Sequence, residues 1–261
     1  MTLELLTAVT ELATLAGNEA NRYFRSGVAV EFKGDGSPVT AADRAAETVA
    51  REWIRTHFPE DGILGEEFGL EKPDARRRWI LDPIDGTKSF IHGVPLWGTL
   101  VAIVEGETVL AGAVYAPPTQ ELVAAAPGEG AWFNGTRTHV STTSALSTAT
   151  LLTTDARFPG RPTRQQRWDR LARATRIVRT WGDCYGYLLL ATGRADIMVD
   201  DLMNPWDAAA VQVVIEEAGG RFTDFRGRPT AFGGDSIATN AKLDTLVRDI
   251  LIPGGDPGLD A

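Results

Sequence analysis

The segment Trp79-Ile80-Leu81-Asp82-Pro83-Ile84-Asp85-Gly86-Thr87 constrains the fold more than any other part of the chain. Its first three residues are apolar and typical of a buried strand, which leads directly into Asp82. Ligand sites of α/β proteins normally lie at the carboxyl ends of such strands. Gly86 and Thr87 then open a predicted helix, whose free N–H groups can hold an anion. Two carboxylates beside an anion site indicate hard cations bound between the protein and a phosphate.

The order of predicted elements divides the 261-residue chain into two parts. Two amphipathic helices precede residue 59, and an irregular stretch rich in Gly and Glu is predicted over residues 59–73. Hairpins are predicted between residues 96–104 and 108–115 and between residues 122–126 and 131–133. Strands and helices alternate in the second half. This order predicts an α/β protein with an α+β lobe over residues 1–142 and an α/β lobe over residues 143–261.

The charge balance and the single cysteine exclude several classes of protein. Lys and Arg number 26 and Asp and Glu number 35, which gives a net charge of −9. An acidic surface repels phosphate backbones, so we expect no nucleic-acid partner. One cysteine, Cys184, excludes an intrachain disulfide and a cysteine zinc cluster. The N-terminus does not resemble a signal peptide and no run approaches ~18 apolar residues, so we expect a cytoplasmic protein with no membrane partner.

Arginine recurs at every third position over residues 161–179. A row with this spacing drifts around a helix of ~3.6 residues per turn instead of forming one stripe. We therefore predict a solvated arginine-rich helix and not a nucleic-acid-binding face.

Two further acidic sites are candidates for the same cation site. Glu66 and Glu67 lie in the irregular stretch, and Asp207 follows Trp206 at the start of a predicted helix. Each has a structural alternative. Asp207 complements a helix dipole, an effect worth ~0.3–1 kcal/mol, and the two glutamates form a solvated loop.

Asp43 and Lys33 also have structural explanations. Thr40 and Asp43 have the spacing of a capping box, with Asp in place of Glu. For Lys33 the structural alternative is an ordinary loop lysine.

Taken together, these motifs resemble the inositol monophosphatase family of magnesium-dependent phosphatases. The resemblance rests on residues 65–67, 82–87 and 204–208, and residues 37–43 and 216–220 match the family as well. It extends from Lys33 to Gly220. It implies an inositol monophosphatase-like layered αβαβα sandwich and a homodimer.

The resemblance also implies roles for individual residues. More than one Mg²⁺ ion is expected in the site, and Gly86 and Thr87 are similar to the family's phosphate cradle. Glu66 would accept the proton of a Mg²⁺-activated water that attacks phosphorus in line, with Thr87 near that water. Asp43 would orient Thr87 and the water. The implied Mg²⁺ ligands are Glu66, Asp82, the carbonyl oxygen of Ile84, Asp85 and Asp207.

The alcohol pocket decides which small phosphate ester is the substrate. The resemblance places Arg179, Gly182, Asp183 and Asp200 there, and two acids favour a cationic leaving group. Residues 179–183 and 92–98 resemble the histidinol-phosphate phosphatase branch, which implies hydrolysis of L-histidinol phosphate in histidine biosynthesis. For Arg179 the alternative is a structural pair with Asp183. Alternative functions are an inositol-1-phosphate or 3′-phosphoadenosine 5′-phosphate phosphatase, or a catalytically silent fold.

Overall fold

The computed structural model of the protein describes residues 2–34, 36–256 and 258. Seven α-helices occur in these residues: α1 Thr2–Asn21, α2 Ala41–His57, α3 Thr87–Ile91, α4 Pro162–Ala174, α5 Asp183–Ala191, α6 Pro205–Glu217 and α7 Asp244–Leu251. The first strands are β1 Val30–Phe32, β2 Pro38–Thr40, β3 Gly62–Gly65, β4 Gly69–Glu71, β5 Arg77–Asp85, β6 Gly98–Glu105, β7 Thr108–Ala116 and β8 Glu121–Ala126. The remaining strands are β9 Gly130–Phe133, β10 Thr136–Arg137, β11 Thr150–Leu152, β12 Ile177–Arg179, β13 Ile197–Asp200, β14 Gly220–Thr223 and β15 Ser236–Asn240.

These strands form one short ribbon and two larger sheets. The ribbon pairs β1 with β2. The large sheet has the order β10-β9-β8-β7-β6-β5-β3-β4, in which only β3 and β5 pair in parallel. The smaller sheet has the order β12-β11-β13-β15-β14; β11 pairs in parallel with both neighbours, and β15 is antiparallel to both of its own.

Helices cover both faces of the large sheet, and two of them separate it from the smaller one. Along β5, Trp79 and Leu81 point to the core with α1 and α2, whereas Ile80 points to the core with α5 and α6. The core around α5 and α6 also includes Met198 of the smaller sheet. The opposite face of that sheet packs on α4 and α7. The layers are therefore αβαβα, as predicted.

Two predictions about local structure were wrong. Residues 59–73 contain an antiparallel pair, β3 and β4, and β3 also pairs with β5. This edge of the sheet was not predicted, because its glycines lower the strand propensity.

The prediction of a solvated arginine-rich helix was also wrong in part. Arg164 is 1% exposed, lies 2.7 Å from Asp201 and 2.8 Å from Asp235, and stacks over Phe225.

The predicted hairpins are confirmed by the pairing of β6 with β7 and of β8 with β9. The predicted division at residue 142 stays a prediction.

Within the described residues, no helix combines the length and apolar character that a membrane crossing requires.

Candidate metal centre

Three carboxylates meet where the large sheet faces α6. One oxygen of each of Asp82, Asp85 and Asp207 lies within 4.8 Å of the others. Asp82 and Asp85 come from the end of β5, whereas Asp207 comes from the first turn of α6. The structure therefore brings together three of the four acidic residues predicted as ligands.

The end of β5 is irregular, and this irregularity sets the directions of the Asp82 and Asp85 side chains. Its pairing with β6 shifts register between Asp82 and Asp85, since Pro83 cannot donate a ladder hydrogen bond. Asp82 is buried, and its Oδ1 accepts a 3.0 Å hydrogen bond from the N–H of Ile84. The hydroxyl of Thr87 donates to the carbonyl oxygen of Ile84 at 3.0 Å. That carbonyl, a predicted ligand, belongs to a residue between the two aspartates in the chain and is held by Thr87.

Asp207 combines a place in the cluster with its structural alternative, an acidic residue in the first turn of α6. Its Oδ2 accepts a 2.7 Å hydrogen bond from the N–H of Asn204, so that the two residues form a capping box at the start of α6. Capping and membership of the cluster coexist, because a carboxylate has more acceptor positions than one cap uses.

Burial and mutual repulsion hold these acids above their ordinary pKa. Burial, and then the charges of Glu66 and Asp85, raise the pKa of Asp82. Burial, and then the charges of Asp183 and Asp207, raise the pKa of Asp85. Burial raises the pKa of Asp207 to about 6. A compact set of oxygen donors that repel one another fits a hard divalent cation, because the ion would neutralise the repulsion.

Glu66 does not belong to the group of three. Its Oε1 lies 2.7 Å from the Nζ of Lys33, which is also 2.7 Å from Glu67. Neither the solvated-loop reading of the two glutamates nor the reading of Lys33 as an ordinary loop lysine is therefore correct. The side chains of Glu66 and Glu67 are 22% and 6% exposed. A lysine in a loop gives no sequence signal that predicts a contact with distant glutamates, so this contact was not predicted.

Glu47 was missed by the sequence analysis, although it shapes the turn that carries Glu66. Its side chain is fully buried and accepts hydrogen bonds from the N–H groups of Glu67 (2.8 Å) and Phe68 (3.1 Å). A side chain at Gly65 would collide with it, since the added Cβ would lie 2.0 Å from Oε1. The available signal was a glutamate on the apolar side of α2, next to Ala46.

Asp43 makes the contacts of the capping box. Its Oδ2 accepts hydrogen bonds from the N–H of Thr40 (2.8 Å) and from the hydroxyl of Thr40 (2.7 Å), and the residue is buried. The role of Asp43 in orienting Thr87 stays a prediction.

The predicted alcohol pocket adjoins the predicted phosphate cradle. A Cβ at Gly86, whose φ is +90°, would lie 3.1 Å from Oδ2 of Asp183. Asp183 is half-buried, and burial, together with the charge of Asp200, raises its pKa to about 7. Its neighbour Gly182 is packed against the backbone of Thr154.

The two other pocket residues have local partners. Asp200 is 6% exposed and accepts 2.8 Å hydrogen bonds from the N–H of Thr154 and from the hydroxyl of Tyr187. Arg179 is exposed, and its Nη1 donates to the carbonyl oxygen of Val178 at 2.7 Å. Across the described ranges, Arg179 and Asp183 do not form the structural pair given as the alternative for Arg179.

Comparison with known proteins agrees with this architecture. Residues 2–251 match the model of the inositol monophosphatase family. The chain is 44% identical to a histidinol-phosphatase of Chlorobaculum parvum over 96% of this chain and 97% of that protein. It is 40% identical to a histidinol-phosphatase of Mycobacterium tuberculosis over 82% and 84% of the two chains. The solved structure of a Thermotoga maritima IMPase is 33% identical and superposes with a TM-score of 0.85, over 94% of this chain and 96% of that one. With its layers, its acidic cluster and a match along almost its whole length, this chain belongs to the inositol monophosphatase family.

Proposed function

We propose that the protein is a Mg²⁺-dependent phosphomonoesterase that hydrolyses L-histidinol phosphate to L-histidinol and phosphate. The observation that carries the proposal is the position of Asp183. Its carboxylate lies against Gly86 and acts on the charge of Asp85 in the acidic cluster. We assign the alcohol side of a bound ester to this position. A carboxylate there favours a leaving group with an ammonium and disfavours a neutral polyol.

The similarity to named histidinol-phosphatases supports the same substrate. Relatives with that name are 44%, 40% and 35% identical to the chain. A Thermotoga maritima protein named fructose-1,6-bisphosphatase/inositol-1-monophosphatase is 37% identical over 80% of the chain, which keeps phosphorylated polyols as the alternative substrate class.

We assign the cation to Asp82, Asp85, Asp207 and the carbonyl oxygen of Ile84, with Glu66 joining when it leaves Lys33. Bound there, Mg²⁺ supplies charge neutralisation of the phosphoryl oxygens and lowers the pKa of water. Glu66 accepts the proton of the attacking water, and the hydroxyl of Thr87 orients that water. We assign Asp43 as a positioning residue for Thr87 and the water.

The remaining residues bind the ester. The N–H groups of Gly86 and Thr87 hold the phosphate, and Asp183 binds the ammonium of the alcohol. We assign to Asp200, which accepts a hydrogen bond from the N–H of Thr154, a contribution of negative potential, and we assign the exposed Arg179 to the rim of the pocket. We further propose more than one Mg²⁺ per site, a homodimer, a cytoplasmic location, two lobes divided at residue 142 and a role in histidine biosynthesis.

Phosphate release from four esters tests the proposal. The esters are L-histidinol phosphate, inositol 1-phosphate, 3′-phosphoadenosine 5′-phosphate and fructose 1,6-bisphosphate, each assayed with Mg²⁺ and with a chelator. We expect kcat/KM for L-histidinol phosphate to exceed the others by at least ~100-fold, or ~2.7 kcal/mol. A flat profile or a preference for inositol 1-phosphate would overturn the assignment of L-histidinol phosphate as the substrate. Activity that persists with the chelator would overturn the metal dependence.

A further inference from the structure

The consecutive backbone N–H groups of Asp183 and Cys184 are bound by side chains from two different parts of the fold. The N–H of Asp183 donates to the hydroxyl oxygen of Thr154 at 2.8 Å. The N–H of Cys184 donates to Oδ2 of Asp85 at 2.6 Å. The segment that carries the pocket carboxylate is therefore held between the smaller sheet and the acidic cluster.

The backbone of Asp183 has an uncommon conformation. Its φ is +50°, in the left-handed region that residues with a side chain seldom adopt, although Asp and Asn adopt it more often than most. Conformations of this kind persist where surrounding contacts hold them. The adjacent contact is tight as well, since a Cβ at Gly182 would lie 2.3 Å from the Cα of Thr154. The position of Asp183 thus depends on where Thr154 lies.

Thr154 is itself fixed by a buried chain of hydrogen bonds. Its N–H donates to Oδ1 of Asp200 at 2.8 Å. The other oxygen of Asp200 accepts a 2.8 Å hydrogen bond from the hydroxyl of Tyr187, which lies 2.6 Å from Oγ of Ser236. Tyr187 is 1% exposed and Asp200 is 6% exposed, so this chain is sheltered from water.

We infer that Thr154 is a positioning residue for substrate selectivity. Its hydroxyl holds the N–H of Asp183, and the buried chain through Asp200 holds Thr154. Together they aim the Asp183 carboxylate at the alcohol side of the ester. The inference rests on the proposed function, because it requires that Asp183 bind a cationic group.

The test compares selectivity in variants of the full-length protein. Thr154→Val removes the hydroxyl at nearly constant volume, and Thr154→Ser restores it. The readout is the ratio of kcat/KM for L-histidinol phosphate to kcat/KM for glycerol 1-phosphate, whose alcohol is neutral. We expect Thr154→Val to lower the ratio about tenfold through a higher KM for L-histidinol phosphate, and Thr154→Ser to keep it within about twofold.

Thr148→Val is the matched control. Thr148 is exposed, like Thr154, and its hydroxyl donates to the carbonyl oxygen of Ala145 at 3.0 Å. We expect this variant to keep the ratio, because the acceptor of the Asp183 N–H and the hydrogen bonds of Asp200 remain. Thr154→Ala removes the same acceptor and replaces Thr154→Val if the latter does not fold.

The outcomes separate the two hypotheses. A wild-type protein without preference for L-histidinol phosphate overturns the proposed function, and the role of Thr154 with it. A wild-type preference that Thr154→Val leaves unchanged overturns only the role of Thr154. Equal losses on both esters overturn that role too, since they indicate a purely structural contact.

Discussion

The carboxylate of Asp85 accepts a 2.6 Å hydrogen bond from the backbone N–H of Cys184, a residue 99 positions further along the chain. Cys184 lies in the first turn of α5, where N–H groups have no partner within the helix and favour negative charge. The contact joins the acidic cluster at the end of β5 to the segment that carries Asp183. A change on one side of this hydrogen bond is therefore expected to affect the other.

Asp85→Asn tests the assignment of the cation site. The amide keeps the shape of the side chain and its acceptor for the Cys184 N–H, but it loses the charge. We expect turnover to fall by at least about 10³-fold, because metal-assisted charge stabilisation supplies several kcal/mol. The melting temperature in the presence of a chelator should not fall. Retained phosphate release would contradict the assignment.

Gly86→Ala tests the close approach of the predicted phosphate cradle to the pocket. A Cβ there would lie 3.1 Å from both Asp183 Oδ2 and the carbonyl oxygen of Leu96, at a φ of +90°. We expect lower kcat/KM and a loss of about 1–3 kcal/mol in the free energy of unfolding. Gly106→Ala is the matched control, since its φ is +60° and nothing lies within 4 Å. Gly106→Ala should lower the free energy of unfolding without changing kcat/KM. Equal effects on kcat/KM in both variants would argue against the cradle.

Lys33→Gln tests competition for Glu66. The ammonium of Lys33 lies 2.7 Å from Glu66 and Glu67, so its charge opposes a cation at the same carboxylate. We expect the variant to bind Mg²⁺ about threefold to tenfold more tightly, a change of roughly 1 kcal/mol for one nearby charge. Calorimetric titration with Mg²⁺ measures this. Lys72→Gln is the control, because Lys72 is exposed and contacts a backbone carbonyl of Pro59. Weaker binding in Lys33→Gln would contradict the prediction.

The stability of the protein should depend on pH and Mg²⁺ together. Burial raises the pKa of Asp207 to about 6 and that of Asp183 to about 7, above the ~3.9 of an unfolded aspartate. The metal-free folded state therefore binds more protons than the unfolded state, and the free energy of unfolding falls as pH rises from about 4 to about 7. Mg²⁺ requires the ionised carboxylates.

We expect saturating Mg²⁺ to raise the melting temperature by roughly 5–10 °C near pH 8, from ~2.7 kcal/mol at a hundredfold excess over Kd. The increase should be clearly smaller near pH 5. Thermal denaturation with Mg²⁺ or a chelator at both pH values provides the measurement. The same increase at both pH values would show that protons and Mg²⁺ do not compete for these carboxylates.

Asp183→Asn tests the role of Asp183 in the predicted alcohol pocket. Asn tolerates a φ of +50° well, so the fold should persist. We expect kcat/KM for L-histidinol phosphate to fall about 10–100-fold, the value of one charged hydrogen bond, with a smaller loss for glycerol 1-phosphate. Asp155→Asn is the control, because Asp155 is exposed and pairs with Arg157. Parallel losses on both esters would remove Asp183 from substrate recognition.

Most of the architecture was predictable from local patterns. The apolar run before Asp82 predicted β5, and the spacing of Thr40 and Asp43 predicted the capping box that starts α2. The strands at residues 62–65 and 69–71 were not predicted, because they are short, Gly-rich and stabilised by pairing with β5. The burial of Arg164 escaped prediction because its acidic partners follow it by 37 and 71 positions.

The sequence by itself determined which residues are candidates for the chemistry: the carboxylates around the β5 turn, the glutamate pair, and Asp207 at the start of a helix. These assignments depend on residues a few positions apart, whose backbone conformation is set locally. Only the tertiary structure decided which of them meet. Asp207 joins Asp82 because α6 packs between the sheets, Lys33 contacts Glu66, and Thr154 holds Asp183. Such contacts depend on how layers pack against one another, and no local pattern encodes that packing.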